Sequence, residues 1–414
     1  MTCPACWWMM LLSTHDETLK KDVPPELELL LCTARTVMDQ ARADRIKALL
    51  GEEIDWEYLL GLAYRHGLGS LLYWQLNATC PEVIPGNYLG QLQAHFHTNT
   101  RRNLLLAGEL LRVIDLLEHK GIAAVPFKGP VLAASCYGNL GLREFEDLDL
   151  LVHEGDAPKV ETLLLHEGFR PLFGLTSAQK AAVHKSGYHF QLQRDSNNTR
   201  LEVHWRIVQR YMLPGFDCEP HWGRLEEVAI GGKAVSTLPA EDLLMVLCLH
   251  AATHLWKRLK WICDISELIC LNEDLDWGEI MYRARAERCE RILSLSLLLA
   301  HDILGTVLPV EIMERVTGDS STQTIAEQVK RRIFEDGTLS PLFLIKTADN
   351  MRDKIELGAR IARDSITPTP AEWTIMSLPQ ALSFLYRIIR LVRLFVIYVL
   401  NPWKERLTSA FRKE

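Results

Sequence analysis

The sequence predicts an α+β fold in which a small mixed β-sheet core is flanked by N-terminal and C-terminal all-helical regions. Apolar residues recur at helical spacing in "ELELLLCTARTVMDQARADRIKALL" near the N-terminus and in "LPAEDLLMVLCLHAATHLW" in the second half. Between them, "GYHFQLQRD" and "TRLEVHWRI" alternate apolar and polar residues, which predicts a β-hairpin around 195–199. The 414 residues are 48% hydrophobic, which is enough for substantial cores.

These patterns divide the chain into regions that follow one another in sequence. The predicted regions are an N-terminal tail (1–24), a helical N-terminal domain (25–97), the mixed core with its lead-in helix (98–235), a helical C-terminal domain (236–366) and a C-terminal helical extension (367–414). A short buried strand in "GIAAVPF" follows the lead-in helix. Thr and Pro residues near 367–370 indicate the last break between helices.

Charge and cysteine usage narrow the functional classes. The net charge of -7 and the pI near 6.1 give no general attraction to polyanions, so no nucleic-acid partner is expected. Cys3 and Cys6 have a spacing that occurs in zinc and redox sites, but no second pair lies nearby and the other cysteines follow no regular framework. The apolar N-terminal stretch lacks the basic lead-in and cleavage site of a signal peptide, and we therefore expect a cytoplasmic protein.

Two aspartates one residue apart open a predicted buried strand in "EDLDLLV". Alternation along a strand places Asp147 and Asp149 on one face and Leu148 on the other. Two like charges buried on one face are costly without a cation between them. The pair therefore predicts a binding site for a divalent metal ion.

A turn that could bind phosphate precedes the aspartate pair. "VPFKGPVLAASCYG" predicts a strand, a tight turn at Gly129 and a helix that begins at Pro130, a residue favoured at the first helical position. Glycine at such a turn allows the backbone to approach a phosphate, the helix N-terminus attracts its charge, and Lys128 adds a full positive charge. Many helices that bind nothing begin in the same way, so the turn gains weight only from the aspartates that follow it.

The order of these motifs resembles that of a known family. The chain resembles an uncharacterised bacterial nucleotidyltransferase family of the polymerase-beta-like superfamily. The resemblance rests on the order of its motifs: Lys128-Gly129, a helix, Arg143 before "EDLDLLV", then "LEVHW" and "LPAEDLLMVLCLHAATHLWKRLKWICDI". The resemblance implies binding of a nucleoside triphosphate, expected to be ATP, and of Mg²⁺ or Mn²⁺. It also implies transfer of a nucleoside monophosphate to a hydroxyl or similar group of a small molecule or biosynthetic peptide. Superfamily members commonly have Gly-Ser or Gly-Gly where this chain has Gly129-Pro130.

The predicted site combines three acids with the phosphate turn. The expected metal-binding and catalytic residues are Asp147, Asp149 and Glu202. The expected nucleotide-binding residues are Lys128, Gly129 and Arg143. Arg143 is either a triphosphate ligand or a structural partner. Glu202 and His204 share one face of "TRLEVHWRI" and would join the cleft if this strand lies beside the aspartate strand, whereas on a surface strand Glu202 would pair with Arg200 or Arg206.

Further candidates lie in the predicted C-terminal helices. His250 and His254 in "HAATH" are one helical turn apart, as in zinc proteases, but Ala251 stands where the protease glutamate would be. The two histidines either pack in a helical core or face the nucleotide cleft. The candidate acceptor-side residues are His204, His250, His254, Lys260 and Asp264.

Two other functions stay open from the sequence. An AMP-adding regulator of another protein would use the same site, and a nucleotide- or partner-binding module with decayed catalysis would explain Gly129-Pro130. The apolar segment 381–400 contains Arg387, Arg390 and Arg393, which argue against a transmembrane helix. We expect this segment either to pack on the protein or to make peripheral contact with a membrane surface.

Overall fold

The computed structural model of the chain describes residues 23–209, 212–213, 218–334, 341–375, 378 and 382–397. The predictions for Cys3 and Cys6, and for the end of the 381–400 segment, lie outside these residues. The α-helices are α1 (Pro25–Thr33), α2 (Gln40–Leu49), α3 (Trp56–His66), α4 (Gly69–Thr79), α5 (Gly86–His119), α6 (Pro130–Tyr137), α7 (Ala157–His166), α8 (Ser177–Ser186), α9 (Ala240–Thr253), α10 (Leu259–Leu271), α11 (Trp277–Ala286), α12 (Glu290–Leu304), α13 (Val310–Gly318), α14 (Ser320–Phe334), α15 (Met351–Ile366), α16 (Pro370–Ile375) and α17 (Leu385–Phe395). Short 3₁₀ helices lie at Pro81–Val83, Glu219–Arg224 and Pro341–Thr347.

The strands form one sheet and one separate hairpin. They are β1 (Ala124–Pro126), β2 (Asp147–Val152), β3 (Phe169–Pro171), β4 (His189–Arg194), β5 (Thr199–His204), β6 (Glu226–Ile230) and β7 (Lys233–Thr237). The sheet has the order β1-β2-β5-β4-β3, in which β2 and β5 are parallel and the other neighbours are antiparallel. This small mixed sheet among helices confirms the predicted fold class, and β4 and β5 form the predicted hairpin.

Several elements differ from the prediction. β3, β6 and β7 were not predicted, and α5 is one helix of 34 residues that begins at Gly86 instead of near Thr98. This helix crosses the predicted domain boundary between 97 and 98. Gly90 and Gly108 do not interrupt it, because the packing of its apolar face outweighs a cost of about 1 kcal/mol for each glycine.

Two hydrophobic cores hold these elements together. The larger core joins the N-terminal helices to the C-terminal helices, and the Cys263 thiol donates a hydrogen bond to the Ala34 carbonyl across this contact at 3.3 Å. The sequence did not predict that the two helical regions share a core. The smaller core lies between one face of the sheet and helices α5 and α7, and it contains Leu148 and Leu201. The opposite face of β2 and β5 carries the polar residues of the candidate site.

The C-terminal helix α17 packs on α15 and α16 through its arginines. Arg390 is buried and donates to the Asp364 carbonyl at 3.1 Å, and Arg393 donates to Glu372 at 2.5 Å. Ile388 on the other side of the helix is exposed. In the described parts of the chain, no helix has both the length and the apolar character that crossing a bilayer requires.

Candidate active site

The parallel pairing of β2 with β5 brings two acidic residues side by side. Asp149 lies opposite Glu202, and Leu148 lies opposite Leu201. Both leucines are fully buried in the core below the sheet, so both acids point to the opposite face. The structure thus confirms that the two strands are neighbours and that Glu202 shares a polar face with His204.

Asp149, Glu202 and His204 form a compact cluster on this face. His204 Nε2 lies 3.1 Å from Asp149 Oδ1 and 3.4 Å from Glu202 Oε2. One potential ligand atom from each of the three residues lies within 4.8 Å of the others. The alternative pairing of Glu202 with Arg206 is not found, because Arg206 lies 3.6 Å from Glu154 instead.

Asp147 stands at the edge of this cluster. In the strand register it lies opposite Arg200, two residues before Asp149. Of the predicted ligand set Asp147, Asp149 and Glu202, the last two converge with His204 within 4.8 Å, and the metal-binding role of Asp147 stays a prediction. Its backbone lies two residues, about 6–7 Å, along the strand from Asp149.

Gly129 forms the turn that precedes α6. Its φ of 59° and ψ of -127° fall in a region that favours glycine. A Cβ atom at this position would lie 3.3 Å from the carbonyl oxygen of Asp147, so the turn packs closely against the start of β2. The helix begins at Pro130, as predicted. The N-terminus of α6 therefore lies beside the aspartate strand.

Lys128 connects this turn to the acidic cluster. Its Nζ atom lies 2.9 Å from Asp149 Oδ1 and 3.3 Å from His250 Nδ1. The lysine is only 8% exposed, so its charge is poorly screened by water. Lys128 therefore neutralises Asp149 and links β2 to α9.

The two aspartates of β2 have opposite pKa shifts. Burial by itself raises the pKa of Asp149, but the Lys128 ammonium and the hydrogen bond to His204 outweigh it and hold this pKa well below its usual range. Burial and then the negative charge of Asp149 raise the pKa of Asp147 to about 6. Asp147 is therefore a partly buried carboxyl group that lies near a second carboxylate of the same strand.

Glu202 and His204 each stabilise the charge of the other. Burial raises the pKa of Glu202, but the hydrogen bond and charge of His204 bring it down to about 2. Burial lowers the pKa of His204, but its hydrogen bonds to Asp149 and Glu202 raise it above the ordinary value. His189 stacks on His204 with ring centroids 5.0 Å apart, and burial together with the His204 charge lowers its pKa to about 4.

Two residues that contact the cluster, His189 and Gln191, were not predicted. Gln191 Nε2 donates to Glu202 Oε1 at 2.6 Å, and His189 Nε2 lies 3.8 Å from Glu202 Oε2. The predicted hairpin of β4 and β5 was sufficient to indicate both residues. Its register, set by the loop over 195–198, pairs Gln191 with Glu202 and His189 with His204.

Arg143 and Asp264 pair with each other in the interior. Arg143 Nε and Nη2 donate to the two Asp264 oxygens at 2.7 and 2.8 Å, and the Tyr137 hydroxyl donates to Asp264 at 2.7 Å. Burial lowers the pKa of Arg143, but the Asp264 carboxylate outweighs it and raises this pKa above its usual value. This geometry corresponds to the structural alternative for Arg143. Lys260, on the same helix as Asp264, donates to the Glu144 carbonyl at 3.3 Å.

His250 and His254 were predicted either to pack in a helical core or to face the nucleotide cleft, and the structure combines both arrangements. Their ring centroids lie 4.6 Å apart, and His254 stacks on Trp261 at 4.7 Å, so they pack as part of the helical layer. His250 also contacts Lys128 and so reaches the acidic cluster. Burial, and then the Lys128 charge, lower the pKa of both histidines, that of His254 to about 4.

The donor set of the cluster fits a divalent cation. Asp149 and Glu202 offer carboxylate oxygens, which Mg²⁺ and Mn²⁺ prefer, and His204 adds an imidazole nitrogen that Mn²⁺ also accepts. The negative charge that raises the pKa of Asp147 is the charge that such a cation would neutralise. The Lys128 ammonium now stands at Asp149, so a cation would share or take over that contact.

Known proteins resemble the chain at two levels. The family model described as "Uncharacterised nucleotidyltransferase" matches residues 52–305, which is more than half of the 414 residues. A crystal structure of ANT(2″)-Ia in complex with adenylyl-2″-tobramycin matches 44% of this chain and 96% of its own, at 14% identity and a TM-score of 0.32. A TM-score this low does not support a comparison of individual residues. No curated protein matches the chain significantly.

Proposed function

Because the chain belongs to this family of uncharacterised nucleotidyltransferases, we propose that it transfers a nucleoside monophosphate from a nucleoside triphosphate to a hydroxyl or similar group of an acceptor. ATP is the expected nucleotide, and Mg²⁺ or Mn²⁺ is the expected cation. The observation that carries the proposal is the register that pairs Asp149 with Glu202 on one face of the sheet. The acceptor is a small molecule or a biosynthetic peptide.

Asp149 and Glu202 are the proposed ligands of the cation, with Asp147 beside them and His204 completing the set. A divalent cation at this position would neutralise phosphate charge and lower the pKa of the attacking hydroxyl. The protein's part is to orient these carboxylates. His204 does so by its contacts to both Asp149 and Glu202, and Gln191 does so by its hydrogen bond to Glu202.

Lys128 and the start of α6 are the proposed site for the triphosphate. The hydrogen bonds of the helix begin with Ala133 N to the Gly129 carbonyl, at 3.1 Å. The earlier N–H groups of Val131 and Leu132 have no acceptor within the helix, although both residues are fully buried and Pro130 has no N–H group. Lys128 would move its charge from Asp149 to the phosphates. We propose that Arg143 acts indirectly, through the buried pair that it forms in the interior.

The transfer needs a proton acceptor beside the attacking oxygen. The acceptor oxygen forms a bond to the α-phosphorus, and the bond from that phosphorus to pyrophosphate breaks, with its electron pair leaving on pyrophosphate. Glu202 is the carboxylate that takes the hydroxyl proton, because it is the least buried member of the converging set. His204 and His189 flank it, and their positions fix its carboxylate.

The test is transfer of label from α-³²P-labelled nucleoside triphosphates, each incubated with the purified chain and Mg²⁺ or Mn²⁺, with and without a cell extract as a source of acceptor. We expect labelled product with the wild-type chain and none with Asp149→Asn. Glu226→Gln is the matched control, because Glu226 is an exposed carboxylate on the separate hairpin. Product formation by Asp149→Asn at the wild-type rate would refute the assignment.

A binding module with decayed catalysis is the second candidate, and one observation favours it. Lys128 neutralises Asp149 directly, as a metal ion would, and Pro130 removes one phosphate donor from the turn. Such a module would bind nucleoside triphosphate, measured by calorimetry, and yield no labelled product with any extract. An AMP-adding regulator of another protein would instead give a labelled protein band in the same experiment.

A further inference from the structure

A cavity of about 1160 Å³ lies beside β4, and the nucleotide chemistry described above does not use it. One wall consists of α8 and β4, and the other consists of residues from α15, α16 and α17. Protein interiors contain few voids larger than a water molecule, so a space of this size is not a packing defect. Pockets for small molecules typically measure about 300–1,000 Å³, and this cavity could therefore hold a sizeable organic molecule.

The wall exists because one edge of β4 is only partly covered. β3 pairs with residues 192–194, and Leu172 N just beyond it donates to the Gln191 carbonyl at 3.0 Å, so among the described residues only the start of β4, at His189 and Phe190, extends past this neighbour. The cavity extends around this edge and reaches both faces of β4. Phe190 lines it from the apolar face, and His189 and Gln191 line it from the polar face.

The polar side of this wall contacts the acidic cluster. Gln191 Nε2 donates to Glu202 Oε1 at 2.6 Å. His189 stacks on His204, which in turn lies 3.1 Å from Asp149. One layer of side chains therefore separates the cavity from Glu202. A bound molecule that displaces the Gln191 side chain would reach the carboxylate.

The cavity lining is mostly apolar, contains several aromatic residues and carries no unbalanced charge. Lys180 pairs with Glu161 at 2.7 Å, and Arg390 lies 3.5 Å from Asp364, so the charged residues of the lining compensate one another. The aromatic residues of the lining are Phe173, Tyr188, Phe190, Trp205, Trp373 and Phe395.

Polar atoms at the same wall lack partners. Across the described residues, His184 Nε2, His189 Nδ1 and Trp205 Nε1 are buried and make no hydrogen bond. Neighbouring side chains cover these three atoms, so a ligand would reach them only by displacing part of the wall. A buried polar group without a partner costs about 1–3 kcal/mol.

We propose that this cavity binds the acceptor, and that the acceptor is an uncharged, mostly apolar molecule with aromatic or fused-ring character and a reactive hydroxyl. The inference rests on the proposed nucleotidyl transfer. The hydroxyl oxygen forms the bond to the α-phosphorus, pyrophosphate leaves with the electron pair of the broken bond, and Glu202 receives the proton. The lining residues from α15, α16 and α17 lie beyond the region 52–305 that the family model matches, so they set the choice of acceptor in this chain.

The test uses N-phenyl-1-naphthylamine, an uncharged aromatic probe whose fluorescence rises on binding. Leu394→Trp fills the cavity from α17, and Ala181→Trp fills it from α8. Val392→Trp is the matched control, because Val392 lies on the same helix as Leu394, is 57% exposed and does not line the cavity. Binding of Mn²⁺ and ATP is measured in parallel on each variant.

We expect the wild type and Val392→Trp to bind one probe molecule per chain and to label the same product from an extract. Leu394→Trp and Ala181→Trp should bind the probe at least about tenfold more weakly and lose that product, with Mn²⁺ and ATP affinities unchanged. Equal probe affinity in the filled variants, or no probe binding by the wild type, would overturn the cavity proposal. If the wild type binds the probe but does not bind nucleotide, the proposed function is refuted instead.

Discussion

Replacement of Lys128 by methionine should change metal binding and nucleotide binding in opposite directions. The Lys128 ammonium lies 2.9 Å from an Asp149 oxygen, where it competes with a cation for the same carboxylate. When a triphosphate is bound, the same positive charge would stabilise it. Lys128→Met retains most of the side-chain volume and removes the charge. The variant should therefore bind Mn²⁺ more tightly without nucleotide and bind nucleoside triphosphate more weakly.

The size of the effect follows from the geometry. Two unit charges about 4 Å apart interact by about 4 kcal/mol at an effective dielectric constant of about 20. Lys128 can relieve much of this repulsion by turning towards His250, which it already contacts at 3.3 Å. We therefore expect Mn²⁺ affinity to rise by about tenfold to a hundredfold, which corresponds to about 1.4–2.8 kcal/mol. Nucleotide affinity should fall by about tenfold or more, since one charge-assisted contact is lost.

Paramagnetic resonance titration with Mn²⁺ and calorimetry with ATP measure the two effects. Lys257→Met is the control, because Lys257 is exposed and its loss changes the net charge by the same amount. Circular dichroism checks that both variants are folded. A folded Lys128→Met with wild-type Mn²⁺ affinity, or an equal gain in Lys257→Met, would contradict the placement of the metal at Asp149.

Three further predictions concern other parts of the site. Asp264→Asn should lower the free energy of unfolding by about 3–5 kcal/mol, because it leaves the Arg143 charge buried without its charged partner. A loss below about 1 kcal/mol, measured by urea denaturation, would argue against a structural role for the Arg143–Asp264 pair. Gly129→Ala should lower thermal stability and weaken ATP binding by about tenfold or more, because the added Cβ would lie 3.3 Å from the Asp147 carbonyl oxygen at a residue with positive φ. An ATP affinity equal to that of the wild type, measured by calorimetry on this variant, would refute this. Glu202→Gln should slow transfer by about 10²–10⁴-fold while most ATP binding is retained, and an unchanged rate of label transfer would exclude Glu202 as the proton acceptor.

Local sequence patterns predicted the longer elements of the fold. They did not predict the short or interrupted elements. Six-residue strands β4 and β5 alternate clearly, so their hairpin could be predicted. β3 has three residues, too few to show any period. The β6-β7 hairpin turns at Gly231 and Gly232, a glycine pair of the kind that favours two-residue hairpin turns. The contact between N-terminal and C-terminal helices depends on packing between distant segments, which no local period encodes.

The candidate site shows the same limit at the level of single residues. Alternation was sufficient to place Asp149 and Glu202 on polar strand faces, and the structure adds that the strands are neighbours. The convergence of His204 with Asp149 and Glu202 depends on register, which alternation alone does not define. The pairing of Arg143 with Asp264 joins residues 121 positions apart, so only the folded chain reveals it.

The most direct test of the site is a crystal structure with Mn²⁺ and a non-hydrolysable ATP analogue, with anomalous diffraction measured near the manganese absorption edge. We expect an anomalous peak within about 2.0–2.4 Å of carboxylate oxygens of Asp149 and Glu202. The triphosphate should lie at the turn formed by Lys128 and Gly129. A bound triphosphate whose manganese peak lies away from both carboxylates would contradict the proposed active site.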